Sequence, residues 1–144
     1  MKMLQYRFVE FIPEILEDGV LYVSMEYCTA IHKCVCGCGN KVVTPISPTG
    51  WQLEFDGKSI SLSPSIGNWN FDCQSHYWIK KNEIKHAIKW NQDEIQEGRD
   101  NDLKMKDDFY FSADKRLDKT EEILDKPKSR HWNLRHFFNF FYKF

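Results

Sequence analysis

Two thiol-bearing clusters between residues 32 and 79 limit what this chain can fold into more than any other feature. The first reads His32-Lys33-Cys34-Val35-Cys36-Gly37-Cys38-Gly39 and the second Cys73-Gln74-Ser75-His76-Tyr77. Together they hold four of the five cysteines and two of the five histidines. Three cysteines at alternate positions cannot all find disulfide partners when only Cys73 stands nearby and Cys28 is left over. A bound metal accounts for them better. Thiolates are soft ligands that suit zinc, and structural zinc sites join two short clusters across an intervening loop. Cys34, Cys36, Cys38 and Cys73 supply four sulfurs, enough for a closed tetrahedral site. His32 and His76 are spare nitrogen donors, and the Cys73-x-x-His76 spacing of a metal knuckle lets His76 stand in for one thiol. The plainer alternative is buried free thiols packed as small hydrophobes, which three alternating cysteines beside two glycines disfavour. A structural zinc contributes on the order of 10 kcal/mol to folding. Against the usual margin of about 5–15 kcal/mol for a domain, such an ion is expected to be a condition of folding.

The chain around these clusters reads as short strands. Residues 5–12 alternate well enough for a strand that Pro13 ends, and Asp18-Gly19 marks a turn. Residues 20–24 and 27–32 form two more strands, a meander that delivers the chain to the first cluster. If the last strand continues, period-two geometry puts His32, Cys34, Cys36 and Cys38 on one face. Gly37 and Gly39 then let the backbone curl tightly. A short strand at Val42-Val43 leads into a loop carrying Pro45 and Pro48. Residues 51–55 and 59–62 flank Asp56-Gly57-Lys58, a hairpin signal. Residues 64–69 read as a glycine-bearing loop, and 76–79 with 83–88 as another hairpin across Lys81-Asn82. Beyond Trp90 the composition shifts. Residues 91–108 are polar and charged and suit an exposed helix or an irregular surface segment, with Phe109-Tyr110-Phe111 rejoining the core. A short helix is expected over 120–126, stopped by Pro127. In the tail, Leu134, Phe137, Phe138 and Phe141 recur at helical spacing, as a last helix packing its apolar face would require.

The expected fold class is therefore α+β: a small antiparallel β-rich, zinc-bound core over about residues 5–90 with a helical C-terminal extension. At 144 residues the chain is read as one domain (1–144), divided into that core and a charged and aromatic segment, 91–144. A formal net charge of −1 excludes a general electrostatic role on nucleic acid, which needs a cationic excess. No run of about 18 apolar residues exists to span a membrane. The first seven residues lack a secretory pattern. Reduced thiols without such a leader read as cytoplasmic.

A closed all-cysteine site frees His32 and His76, each within a few residues of a ligand and so held in a fixed rotamer, as a catalytic base must be. The candidate nucleophiles are Ser61, Ser63, Ser65 and Ser75. Ser65 stands out because Pro64 and Gly67 bracket it in a constrained segment whose backbone N–H groups could form an oxyanion hole. Asn68 could orient a histidine or add a donor. The bland reading is a serine-bearing turn and two structural histidines, because serine–histidine geometry cannot be read from sequence order. A hydrolytic zinc needs an open coordination position. Six candidate donors crowd such a site, and thiolates weaken the acidification of bound water.

The linked motifs His32-x-Cys34-x-Cys36-Gly37-Cys38-Gly39, Trp51, Ser61-Leu62-x-Pro64-Ser65-Ile66-Gly67-Asn68-Trp69 and Cys73-x-Ser75-His76-Tyr77-Trp78-Ile79 resemble a family of small bacterial proteins. Their genes sit in bacterial ubiquitination-like operons, beside those for multi-ubiquitin-like proteins and for activating and conjugating enzymes. The resemblance covers about residues 5–90. It implies a zinc-bound, peptidase-like protein that processes or deconjugates a ubiquitin-like protein, and it carries catalytic roles onto Ser65, His76 and His32. The expected partners are the ubiquitin-like protein and its activating and conjugating enzymes. The expectation from another class is a non-catalytic zinc-binding module that recruits the ubiquitin-like protein or its conjugating enzyme.

Overall fold

Eight short strands pair into two four-stranded sheets, and one long helix follows them. The computed structural model describes residues 3–124, and the chain divides between Lys106 and Asp107 into two units. In the first unit lie β1 (Gln5–Phe8), β2 (Val20–Ser24), β3 (Thr29–Lys33), β4 (Lys41–Pro45), β5 (Gln52–Phe55), β6 (Ile60–Gly67), β7 (His76–Lys80) and β8 (Glu83–His86). The sheets run β1-β2-β3-β4 and β5-β6-β7-β8, each in sequence order. All pairs are antiparallel except β1 with β2, which run parallel because the connection through residues 9–19 brings the chain back to the start of β1. Single bridges, Met3 to Glu83 and Ile46 to Trp51, tie one sheet to the other.

Alternation along the strands decides what is core and what is site. Val23, Ala30 and Val42 of one sheet and Ile60, Leu62, Ile66, Tyr77 and Ile79 of the other form one buried cluster. Each strand of the second sheet therefore turns its intervening residues outward. In β6 these are Ser61, Ser63, Ser65 and Gly67; in β7 they are His76, Trp78 and Lys80. Burying the inner set contributes roughly 1.5–3 kcal/mol for each large aliphatic side chain, so a slip of one residue is strongly opposed.

Several local expectations change. The first strand stops at Phe8, short of residue 12. The third strand ends at Lys33, and residues 34–38 turn instead of extending, so the thiols converge by curling and not by strand alternation. Gly37 (φ 91°) and Gly39 (φ 80°) adopt the left-handed conformations this turn demands. The segment 64–67, read as loop from its proline and glycine, is the second half of β6. Pairing with β7 is irregular between Leu62 and Ile66, where Pro64 can offer no N–H. The Lys81-Asn82 turn has φ of 48° and 66°, the conformation of a two-residue hairpin turn.

The polar segment forms helix α1 (Gln92–Leu124), which absorbs the short helix expected from residue 120. Its start is a reciprocal cap. The Glu94 N–H donates to Asn91 Oδ1 at 2.9 Å, and the Asn91 N–H donates to Glu94 Oε2 at 2.7 Å. In the second unit Phe109, Tyr110 and Phe111 lie on this helix and are exposed, not in a core. The aromatic stripe from Leu134 to Phe141 lies outside the described residues.

Candidate functional site: a serine–histidine pair beside a four-thiol cluster

The register of β6 against β7 brings the first pair of side chains together. Gly67 lies opposite His76, and Ser65, two residues along the same face, becomes the diagonal neighbour of His76. Ser65 Oγ and His76 Nε2 are 3.0 Å apart. The other ring nitrogen, Nδ1, lies 3.0 Å from the carbonyl oxygen of Ile88. A carbonyl can only accept, so Nδ1 carries the proton in the neutral ring and Nε2 presents its lone pair to the Ser65 hydroxyl. This is the tautomer a general base needs, set by a backbone carbonyl where triads use a carboxylate.

Aromatic rings wall the imidazole. Trp69 and Trp90 stack nearly parallel, with centroids 5.3 Å apart and planes at 16°. The His76 centroid lies 4.9 Å from that of Trp69 and 5.0 Å from that of Trp90. They leave His76 only 6% exposed although it points away from the core. Gly67 makes this possible, since a Cβ there would stand 2.5 Å from the Trp69 indole. The pair opens into a cleft of about 300 Å³ bounded by Gly50, Trp51, Pro64, Trp69 and Trp90 and by one face of the start of α1. A larger groove, about 610 Å³, lies along the outer face past Ser61, Ser63 and Trp78, but it holds neither Ser65 nor His76. Only the smaller cleft is lined by both Ser65 and His76.

The four thiols gather on the other side of β7. Sγ atoms of Cys34, Cys36, Cys38 and Cys73 all lie within 4.8 Å of one another. Neighbouring pairs are 3.3 Å (Cys34–Cys36), 3.9 Å (Cys34–Cys73) and 3.7 Å (Cys38–Cys73) apart. A tetrahedral ion with metal–sulfur bonds of about 2.3 Å requires sulfur–sulfur edges of roughly 3.8 Å, so the four donors fit one metal ion. Burial pushes the Cys36 thiol up to about 12. Burial also opposes ionisation of Cys73, but hydrogen bonds from Ser75 and the neighbouring thiols outweigh it and bring Cys73 down to about 7. Around the thiols, Asn40 Nδ2 donates to Cys38 Sγ at 3.3 Å, and Ser75 Oγ lies 3.1 Å from Cys34 Sγ. Asn68 Nδ2 donates to Ser75 Oγ at 2.9 Å. The fifth cysteine, Cys28, is exposed and outside the cluster.

Among the residues singled out from sequence, the fold joins Ser65 to His76 and Cys34, Cys36 and Cys38 to Cys73. His32 is elsewhere. It points from β3 into the core with 0% exposure, its Nε2 2.9 Å from Tyr77 Oη. Tyr77 and His76 are adjacent in β7 and so project to opposite faces, which leaves the strand between His32 and Ser65. Burial lowers the His32 imidazole to about 4, so the ring is neutral at ordinary pH. Ser75 and Asn68 serve the thiol cluster, and Ser61 Oγ accepts from the Lys81 N–H at 3.0 Å. Sequence reasoning missed Trp69 and Trp90 as walls and the Ile88 carbonyl as the orienting group. The only available signal was their aromatic character beside a candidate site, which core packing explains equally well.

A hydroxyl, a correctly protonated imidazole and a cleft beside them make the arrangement of a serine hydrolase, mounted on a scaffold that four thiols can pin with a metal ion. The family model for the bacterial ubiquitination-like system serine protease (BubE) matches residues 8–87, and the chain belongs to that family. No curated protein and no solved structure matches it.

Proposed function

We propose that this chain is a cytoplasmic peptidase that processes or deconjugates a bacterial ubiquitin-like protein, with Ser65 as nucleophile and His76 as base. The observation that carries this reading is the 3.0 Å contact between Ser65 Oγ and His76 Nε2, with Nδ1 tied to the Ile88 carbonyl. Ser65 Oγ attacks the scissile carbonyl while His76 Nε2 takes its proton. His76 then gives that proton to the departing amine, and an acyl-Ser65 ester remains. Water attacks the ester and loses a proton to His76, which passes that proton to Ser65 Oγ as the acyl group leaves as the free acid, so Ser65 and the neutral imidazole are restored. The Trp69–Trp90 wall keeps bulk water from the imidazole. His32 is assigned a structural role.

Zinc is the ion proposed for Cys34, Cys36, Cys38 and Cys73, on the chemistry of an all-thiolate set. When bound, it supplies cross-linking between the turn after β3 and the turn before β7. Four sulfur ligands would leave such an ion no position for water, so the hydrolytic work is assigned to Ser65. Ser75, bonded to Cys34 and immediately preceding His76, connects this anchor to the base.

The test is incubation of the purified protein with a ubiquitin-like fusion, read by intact mass. Ser65→Ala is expected to remain folded and metal-loaded while cleavage falls by at least about a thousandfold. A fluorophosphonate should label wild-type protein once, at Ser65. Unchanged cleavage by Ser65→Ala removes that residue from the mechanism, whereas wild-type protein that neither cleaves nor takes the label replaces the peptidase with the recruiting module.

A further inference from the structure

The family-matched segment ends at residue 87, yet the cleft at Ser65 does not. Five of its thirteen lining residues, Trp90, Gly98, Arg99, Asp102 and Lys106, lie beyond that point. The cap at Asn91 sets where α1 begins, and Ile95, only 3% exposed, anchors its first turns. Gly98 lets the helix close on Trp90, because a Cβ there would sit 2.7 Å from the ring. With the helix so placed, residues 99, 102 and 106 follow one another at helical spacing along the face towards the cleft.

The charges on that face are unequally satisfied. Lys106 Nζ pairs with Asp102 Oδ2 at 2.7 Å, so these two cancel. Arg99 Nη2 donates to Asn70 Oδ1 at 2.8 Å, and no carboxylate pairs with it among the described residues. A neutral amide oxygen fixes the guanidinium without neutralising it. The other donors of the fork have no carboxylate partner among the described residues, and Arg99 lines the same cleft as Ser65 and His76. A guanidinium held in that way is preorganised for a carboxylate, which it can meet through two parallel hydrogen bonds.

We infer that Arg99 determines specificity in this cleft by binding a carboxylate of the substrate polypeptide close to the scissile bond, with Asn70 as its positioning residue. The inference rests on the reading of Ser65 and His76 as a peptidase pair. The carboxylate comes either from an acidic side chain or from a free chain terminus, and both present the same group to the fork.

The probes are synthetic peptides spanning the junction of a ubiquitin-like fusion, made in matched versions. Each acidic position carries Glu or Gln, and each peptide ends in a carboxylate or a carboxamide. With wild-type protein, kcat/KM for the preferred acid is expected to exceed that of its amide by about 10- to 100-fold, the range of a charge-assisted hydrogen bond. In Arg99→Ala the ratio should fall to about one. Arg99→Lys should retain part of the preference, and Arg99→Glu should disfavour the acid. Asn70→Ala should raise KM for the acid peptide while leaving kcat in place. A Glu/Gln preference identifies the side chain as the source, and an acid/carboxamide preference identifies the terminus. Equal rates for all four versions, or a preference that survives Arg99→Ala, overturn the inference. Binding of the same peptides to Ser65→Ala, followed by the fluorescence of Trp69 and Trp90, decides the matter separately from catalysis. If wild-type protein neither takes the label nor cleaves, the peptidase reading fails, and the binding comparison still accepts or rejects Arg99.

Discussion

Replacing Tyr77 by Phe should weaken the fold and spare the chemistry. Tyr77 is 0% exposed, and among the described residues its hydroxyl is the only hydrogen-bond partner of His32, whose Nδ1 has none. The ring is kept in the variant, so no cavity opens. What is lost is the buried hydrogen bond with His32, about 1 kcal/mol, together with about 1–3 kcal/mol for a buried nitrogen left unpaired; the long bond that Tyr77 Oη accepts from Asn68 Nδ2, at 3.4 Å, goes with it, and Asn68 keeps Ser75 as a partner. The sum, about 2–4 kcal/mol, is a large part of a typical margin of about 5–15 kcal/mol. For a chain of this size it corresponds to a drop in Tm of roughly 10 °C. Urea and thermal unfolding should be followed by circular dichroism at saturating zinc, so that metal binding adds the same contribution to every variant. Below the transition, kcat/KM on a cleavable fusion should stay within about threefold of wild type, because His76 lies on the opposite face of β7. Pairing the change with His32→Leu closes a double-mutant cycle, with an expected coupling of about 1–3 kcal/mol. A cost below about 0.5 kcal/mol refutes the hydrogen-bond argument. A folded, metal-loaded His32→Leu protein that no longer cleaves refutes the separation of the two histidines.

Gly67→Ala should push the Trp69 indole off its stack, costing about 1–3 kcal/mol as overpacking does, and should reduce kcat/KM; near-ultraviolet circular dichroism and kinetics read the two effects. Cys36→Ser should lose bound metal and stability together, measured by elemental analysis and thermal unfolding; normal folding with undiminished metal removes Cys36 from the ligand set. Asp56 accepts hydrogen bonds from the N–H groups of Lys58 and Ser59 and from Ser59 Oγ, which hold its carboxyl below the usual range. A lowered carboxyl stabilises the fold above its unfolded pKa of about 3.9 and ceases to do so as pH falls through the folded value. Amide protection in the β5–β6 hairpin should accordingly drop at acid pH, and Asp56→Ala should flatten that dependence.

Much of the β framework was legible as alternation. Residues 20–24 form β2 as expected, and the hairpins at Asp56-Gly57 and Lys81-Asn82 stand where their turn residues place them. Pro64 misled, because a proline beside a glycine is a loop signal unless the neighbouring strand tolerates a missing N–H. The polar run after residue 91 left helix and irregular surface open, since no strong apolar stripe distinguishes them.

The amino-acid sequence alone pointed to a meeting of the four thiols, because three alternating cysteines and a distant fourth suit one metal ion better than disulfides or separate buried thiols. It also determined which side chains could act as nucleophile or base. It did not determine which of them would face each other. That followed from the register of β6 against β7, which sets Ser65 diagonal to His76, and from the period of two, which sends Tyr77 and His32 to the other side of the same strand. Pairings of that kind depend on hydrogen bonds between residues far apart in the chain, and no local pattern encodes them.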